Sequence, residues 1–233
     1  MKIALLGYGK MGKVIEKLAL ERGHEITFIK TRENNFDGLE KADIAIDFSV
    51  PAVAVENILS CFEKNIPVVS GTTGWLQDIH IVLETCQKTN GSFIYSANFS
   101  LGVNLFFELN EKLAQLMQPF SNYKVSMEEI HHTQKLDKPS GTAIAIANDI
   151  IRNSNYTNWT LGAANENEIG IDVKRISSVP GTHRVHYHSE IDSIEIAHTA
   201  NNRNGFAFGA IVAAEWLLDK KGIFTMKDVL SFR

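Results

Sequence analysis

The chain has 233 residues, 44% of them hydrophobic and 21% charged, with a formal net charge of −4 at pH 7. That composition fits one large or two modest hydrophobic cores and argues against a disordered chain. The acidic balance argues against a general nucleic-acid or membrane-surface role, so any anionic ligand must be held locally. The opening MKIALLG is too short an apolar run for a signal-peptide core, and no run approaches the ~20 apolar residues of a membrane span. The expected location is the cytoplasm.

Residues 1 to about 100 alternate short β-rich runs with helical stretches. KIALLG is followed by a helix from Met11 to about Arg22, then by HEITFIK and ADIAIDFS. A helix over AVAVENILSCFEKN, the run IPVVSGTTG, a helix from about Leu76 to Thr89 and SFIYSAN complete the series. Apolar strands separated by helices of this length imply parallel pairing covered on both faces, an α/β Rossmann-like doubly wound sheet. Cys61 and Cys86 fall in helical segments and read as buried, reduced thiols.

The pattern changes after Asn98. A helix over Val103 to Met117 shows apolar residues at Leu105, Leu109, Leu113 and Leu116, and the strand YKVSMEEIHH leads to a helix over Gly141 to Arg152. The polar, asparagine-rich residues 153–168 read as a surface loop. Three β-like runs follow, IDVKRISSV, THRVHYHS and SIEIAHTA, separated by turn signals that suggest antiparallel neighbours. The last apolar stretch, FAFGAIVAAEWLLDKKG, reads as a buried helix returning to the first domain. The expected division is a dinucleotide-binding domain over 1–101 and 205–233 and a substrate-binding and oligomerisation domain over 102–204. The second domain is expected to be α+β with a mixed, largely antiparallel sheet.

GYGKMG places Gly7, Gly9 and Gly12 as G-x-G-x-x-G directly after the first strand, where a tight turn and the free N–H groups of a helix N-terminus suit a pyrophosphate. The second strand ends in IKTRE. Lys30 and Arg32 stand where an NAD-selective site usually places an acid, so NADPH is expected over NADH. SGTTG (Ser70 to Gly74) and SANFS (Ser96 to Ser100) follow the fourth and fifth strands and line the crevice at their carboxyl ends.

In MEEIHH an extended chain sends His131 and His132 to opposite faces, which makes joint chelation of one metal awkward, and no metal is expected. Lys135 follows, and Ser140 reads as the N-cap of a helix beginning near Gly141. The amides of Gly141 and Thr142, with the Thr142 hydroxyl, make an anion pocket. With His132 and Lys135 it suits a small dianion held by both ends, leaving His131 for proton transfer. The HRVHYH run, with His183, His186 and His188, reads as a solvated or interface strand.

The runs HHTQKLDKPSGTA, GYGKMG, DFSVP, SGTTG, SANFSLGVN and HTANNRNGFAFGA occur in the order found in the dihydrodipicolinate reductase family, which this sequence resembles over nearly its whole length. The resemblance implies NAD(P)H-dependent reduction of 4-hydroxy-tetrahydrodipicolinate to tetrahydrodipicolinate with loss of water, in lysine and diaminopimelate biosynthesis, by a homotetramer. By motif position it makes His131 the acid/base and Lys135 a proton donor, with His132, Ser140, Gly141 and Thr142 gripping the substrate carboxylates. It brings the cofactor to Gly7, Tyr8, Gly9, Lys10, Met11 and Gly12, to Lys30 and Arg32, to Gly71, Thr72 and Thr73, and to Ser96, Ala97, Asn98 and Phe99. The strand-two end lacks the acid followed by arginine of some members, and the region around 153 to 180 is short. Another NADPH-dependent dehydrogenase of amino-acid metabolism, or a non-catalytic nucleotide-sensing protein, would account for the first domain but does not predict the His-His/Lys/Ser-Gly-Thr constellation.

Overall fold

The computed structural model describes residues 1–202 and 204–231. They form two compact units, one built from Met1–Leu101 with the chain from Asn204 onward, the other beginning at Gly102.

In the first unit β1 (Lys2–Leu6), α1 (Lys10–Glu21), β2 (Glu25–Lys30), β3 (Ile44–Asp47), α2 (Pro51–Glu63), β4 (Val68–Ser70), α3 (Ile79–Lys88) and β5 (Ser92–Tyr95) follow one another as βα units. The last part of the chain adds α6 (Asn204–Leu217), β11 (Gly222–Phe224) and α7 (Met226–Val229). The six strands are ordered β11-β5-β4-β3-β1-β2 and every pairing is parallel. Strand β1 explains the layering, because it is buried on both faces. Ile3 and Leu5 pack with Ile15 of α1 and Ile211 and Leu217 of α6, while Ala4 and Leu6 pack with Ile58 and Phe62 of α2 and Val82 of α3. The expected doubly wound sheet is therefore present. The strand order reverses between β1 and β3, the point in such sheets where ligands bind at the carboxyl ends. The sequence does not signal β11, since GIF is too short to show a period and only its pairing with β5 defines it.

In the second unit α4 (Leu101–Met117), β6 (Lys124–His131), α5 (Gly141–Arg152), β7 (Asn158–Leu161), β8 (Glu168–Arg175), β9 (Gly181–His188) and β10 (Ser193–Ala200) give a five-stranded sheet in the order β10-β9-β6-β8-β7. Residues of α4 and α5 pack over one face of it, with Phe106, Ala114, Ile146 and Ile150 against Val125, Met127, Ile171 and Val185.

Two expectations are corrected here. Strands β8 and β9 are not neighbours: β6 lies between them, parallel to β8 and antiparallel to β9, and β7 also pairs parallel with β8, so the sheet is evenly mixed. The supposed loop over 153–168 contains β7, a four-residue edge strand with no buried residue, set in asparagine-rich sequence that reads as a loop. Of the α4 leucines, Leu105 (53%), Leu109 (52%) and Leu116 (69%) are exposed, while Leu113 packs against the core. The buried stripe is Val103, Phe106, Asn110 and Ala114, which reads as polar because of Asn110, yet the Asn110 amide donates to the Ile146 carbonyl at 3.1 Å and joins α4 to α5.

Candidate active site

At the nucleotide end, Gly7 has a φ of +96° and its carbonyl oxygen lies 2.4 Å from where a Cβ on Gly12 would stand. Any side chain at Gly12 would collide with the turn. A Cβ on Gly9, by contrast, meets nothing within 4 Å, which leaves the middle of the loop open to a ligand. A cavity of about 640 Å³ is lined by Gly7, Gly9, Lys30, Thr31, Arg32 and Phe48 among others. That volume lies within the range of roughly 300–1,000 Å³ usual for small-molecule sites. The residues present thus fit a dinucleotide.

The neighbouring loops are braced from within. The Thr72 hydroxyl accepts the Ser49 N–H at 2.8 Å, and the Thr72 carbonyl accepts the Trp75 indole N–H at 2.7 Å. Buried Asp47 accepts Ser70 Oγ–H at 2.8 Å and the Asn57 amide at 3.3 Å, and burial pushes its carboxyl up. Gly71 sits under the Phe48 ring, where its own Cβ would stand 2.3 Å from Cζ. Ser96 Oγ donates to the Asn98 carbonyl at 2.7 Å. Gly7, Tyr8, Gly9, Lys30 and Arg32 line the one cavity, whereas Thr72 is buried within its loop and the Phe99 side chain is 1% exposed in the core. Lys10, Thr73 and Ala97 are exposed, Met11 and Asn98 half-buried. Lys30 Nζ donates to the carbonyls of Thr31 and Asn34 and lies 5.0 Å from the Phe36 ring centroid. Arg32 is exposed.

The second unit holds a buried polar cluster. Alternation along β6 turns Val125, Met127, Glu129 and His131 to the helix-covered face, so this face changes from apolar to ionisable within one strand. Its neighbours change at the same end: β9 places His183 opposite Glu129, and β8 places Arg175 opposite His131. Glu129, 0% exposed, accepts Arg175 Nη2–H at 3.0 Å and the Ser140 N–H at 2.9 Å. Burial alone would raise its carboxyl, but the hydrogen bonds from Ser140 and Arg175 and the His131 charge bring the net shift below the usual range.

His131 Nδ1 lies 3.8 Å from the Glu129 carboxylate, and the His131 and His183 rings meet edge-on with centroids 5.1 Å apart. Burial pushes His131 down, opposed by Glu129 and reinforced by Lys135 and Arg175. His183 is pushed down to about 4, first by burial and then by His131. The strand HRVHYH is therefore not simply solvated. His183 is buried beside Glu129, while His186 on the other face pairs with Glu195 at 3.0 Å. Glu129, His131 and His183 present ligand atoms within 4.8 Å of one another. Because Arg175 and the Ser140 amide already hold Glu129, the arrangement is a charge-compensated hydrogen-bond cluster.

Ser140 caps α5, its hydroxyl accepting the Ala143 N–H at 3.1 Å and contacting His183 Nε2 at 3.2 Å. The amides of Gly141 and Thr142 stand in the first turn of that helix, where N–H groups have no intrahelical acceptor. The structure thus gathers His131, Ser140, Glu129, Arg175 and His183. Lys135 is apart from this core, with its ammonium on Asp137 at 2.9 Å, and His132 is half-buried just past the strand. The sequence does not single out Glu129 or Arg175, and it offers His183 only as part of a solvated or interface strand. The two-residue alternation that places Glu129 on the face of His131 was the one available signal.

A Rossmann-type nucleotide unit joined to a unit bearing a buried cluster of ionisable groups is the layout of an NAD(P)-linked oxidoreductase. The family model described as "Dihydrodipicolinate reductase, N-terminus" matches residues 1–99 and "Dihydrodipicolinate reductase, C-terminus" matches residues 102–230. The chain belongs to the dihydrodipicolinate reductase family.

Relatives named 4-hydroxy-tetrahydrodipicolinate reductase include one from Christiangramia forsetii, 57% identical over 238 residues with 99% of this chain and 98% of the relative covered. One from Thermosipho africanus is 33% identical over 232 residues, again covering 99% and 98%. Among solved structures, a dipicolinate-bound dihydrodipicolinate reductase from Paenisporosarcina sp. TG-14 shares the fold with a TM-score of 0.77 at 22% identity, covering 97% of each chain. An engineered D-amino acid dehydrogenase bound to NADP+ shares it with a TM-score of 0.56 at 15% identity, covering 100% of this chain and 96% of its own. No helix among the described residues is long and apolar enough to cross a membrane.

Proposed function

We propose that this chain reduces 4-hydroxy-tetrahydrodipicolinate to tetrahydrodipicolinate with NAD(P)H, consuming one proton and releasing one water, in lysine and diaminopimelate biosynthesis. The observation that carries the reading is His131 buried against Glu129 beside the capped N-terminus of α5, in a chain that closely matches relatives of that name. When bound, the reduced nicotinamide supplies the hydride.

The glycine loop from Gly7 to Gly12 receives the pyrophosphate, with Gly9 as the point of close approach and the start of α1 donating N–H groups. Loops Gly71 to Thr73 and Ser96 to Phe99 hold the nicotinamide end, their backbone kept in shape by the Thr72 and Ser96 hydrogen bonds. In the second unit the substrate carboxylates are taken by His132, by the Ser140 cap region and by the amides of Gly141 and Thr142. A dianion at this helix terminus is favoured by both the free N–H groups and the helix dipole. His131 gives and takes the proton, and Lys135, held at hand by Asp137, is a second donor.

NADPH is the preferred reductant in this reading. Lys30 and Arg32 put two positive charges on the wall of the nucleotide cavity, where a 2′-phosphate gains and a bare hydroxyl does not. The enzyme works as a cytoplasmic homotetramer assembled through the second unit, in line with the family resemblance and with Ile191 and Ile194 being exposed there.

The decisive experiment follows nicotinamide absorbance with freshly generated 4-hydroxy-tetrahydrodipicolinate and, in separate runs, NADPH or NADH. Oxidation that depends on that substrate is expected, with the higher kcat/KM for NADPH. No oxidation with either cofactor would overturn the activity, and a higher value for NADH would overturn the preference.

A further inference from the structure

We propose that Glu129 is a positioning residue for His131. It holds the Nδ1 edge of the imidazole and so leaves Nε2 as the nitrogen that exchanges a proton with the substrate, an assignment that rests on the reading of His131 as the acid/base.

The geometry has three parts. First, Glu129 cannot turn away, because Arg175 fixes Oε1 at 3.0 Å and the Ser140 N–H fixes Oε2 at 2.9 Å. Second, Oε2 is also the oxygen that faces the two imidazoles, 3.8 Å from His131 Nδ1 and 3.9 Å from His183 Nε2. His131 Nδ1 is buried and has no hydrogen-bond partner among the described residues. A buried ring nitrogen must meet either a donor or an acceptor, and the group facing this one is a carboxylate, an acceptor only, so Nδ1 carries the hydrogen. A separation of 3.8 Å is an ion-pair distance, and catalytic contacts of this kind tighten when ligands bind. Third, a Cβ at Gly181 would stand 3.0 Å from His131 Nε2 and 3.2 Å from Cδ2. Any side chain at Gly181 would crowd that edge of the ring.

The charges around His131 come from β6, from β8 and from the loop after β6. Glu129 and Asp137 favour the imidazolium, while Arg175 on β8 and Lys135 in the following loop disfavour it. His183 stands beside it on β9, with His198 of β10 behind, and the first turn of α5 contributes no acidic group. Glu129 is the nearest anion and the one anchored in place, so neutralising it removes the main electrostatic support for the protonated ring.

Two measurements on the full-length chain test this. Nitrogen-15 NMR of histidine-labelled protein above the pKa of His131 is expected to show the Nδ1–H tautomer, and an Nε2–H tautomer would overturn the proposal. In Glu129→Gln, kcat is expected to fall by about tenfold or more and the limb of its pH profile set by His131 to move to lower pH, with KM for NADPH nearly unchanged. A profile superimposable on the parent's would also overturn it. The tautomer is read in the parent, so it stands even where the variant does not fold. A parent that oxidises no NADPH would sink the proposed function while leaving the tautomer measurement intact.

Discussion

The carbonyl oxygen of Gly7 lies against the α-carbon of Gly12, so that a Cβ on Gly12 would stand 2.4 Å away, whereas one on Gly9, midway between them, would meet nothing within 4 Å. The three glycines of one motif therefore answer to different demands. Gly12 serves the fold, and the openness at Gly9 serves what the loop receives. Gly12→Ala should lower the thermal midpoint measurably, since backbone rather than a flexible side chain occupies the space. Gly9→Ala should leave that midpoint within about a degree and weaken NADPH by tenfold or more, because the added methyl stands where a pyrophosphate must approach. Calorimetry with a fluorescence titration of each variant separates the two, and equal destabilisation by both would refute the distinction.

Cofactor choice should depend on Arg32 more than on Lys30. The Lys30 ammonium is spent on the carbonyls of Thr31 and Asn34 and on the Phe36 ring, which makes it a brace of its own loop as well as a charge. Arg32, exposed at the cavity, has the fork that takes a phosphate in two bonds. Arg32→Ala is expected to raise Kd for NADPH by about tenfold, roughly the 1.4 kcal/mol of one screened charge-assisted contact, and to leave Kd for NADH within twofold. Isothermal titration at fixed ionic strength checks it; a parallel loss for both cofactors would place Arg32 outside the 2′-phosphate site.

His131→Ala is expected to cost about 10²-fold or more in kcat, with NADPH affinity preserved, as for the loss of a positioned acid/base. Lys135→Ala should damage both turnover and the binding of pyridine-2,6-dicarboxylate. Its ammonium is paired with Asp137, so Asp137→Asn offers a control that frees Lys135 without removing it. A dicarboxylate that binds Lys135→Ala as tightly as the parent would show that the carboxylate pocket lies elsewhere.

Local pattern made the first unit readable. Ile3, Ala4, Leu5 and Leu6 form a run buried on both faces, and each following helix bears its own apolar stripe, so strand, helix and order all follow from neighbours in sequence. The second unit depends on pairings that sequence neighbours do not reveal. Insertion of β6 between β8 and β9 joins residues some fifty positions apart, and nothing in HRVHYH announces that His183 will be carried beside Glu129. The site shows the same divide. The candidates His131, Ser140, Gly141 and Thr142 belong to one continuous run and stand out in the sequence, while Arg175 and His183 come beside Glu129 only through the sheet register.

The buried histidine also sets how the second unit responds to acid. His183 is 5% exposed and pushed down to about 4 from an ordinary value of 6.5, because burial disfavours its charged form. In the unfolded chain it takes up a proton near its ordinary value, whereas in the folded chain it does so only near 4. Between those limits the unfolded state binds the extra proton, so the contribution is complete above about pH 6.5 and is lost as the pH falls toward 4. At about 1.36 kcal/mol per unit the whole window amounts to something on the order of 3 kcal/mol. His131 and His198 are shifted in the same direction by burial and add to the slope. Replacing His183 with Gln removes the titration while retaining a side-chain amide that can partner the Ser140 hydroxyl, which contacts the ring at 3.2 Å. Urea midpoints measured at pH 7.5 and pH 5 should therefore fall steeply for the parent and less steeply for His183→Gln. A parent with the same midpoint at both values would mean that His183 takes up its proton without loss of the fold.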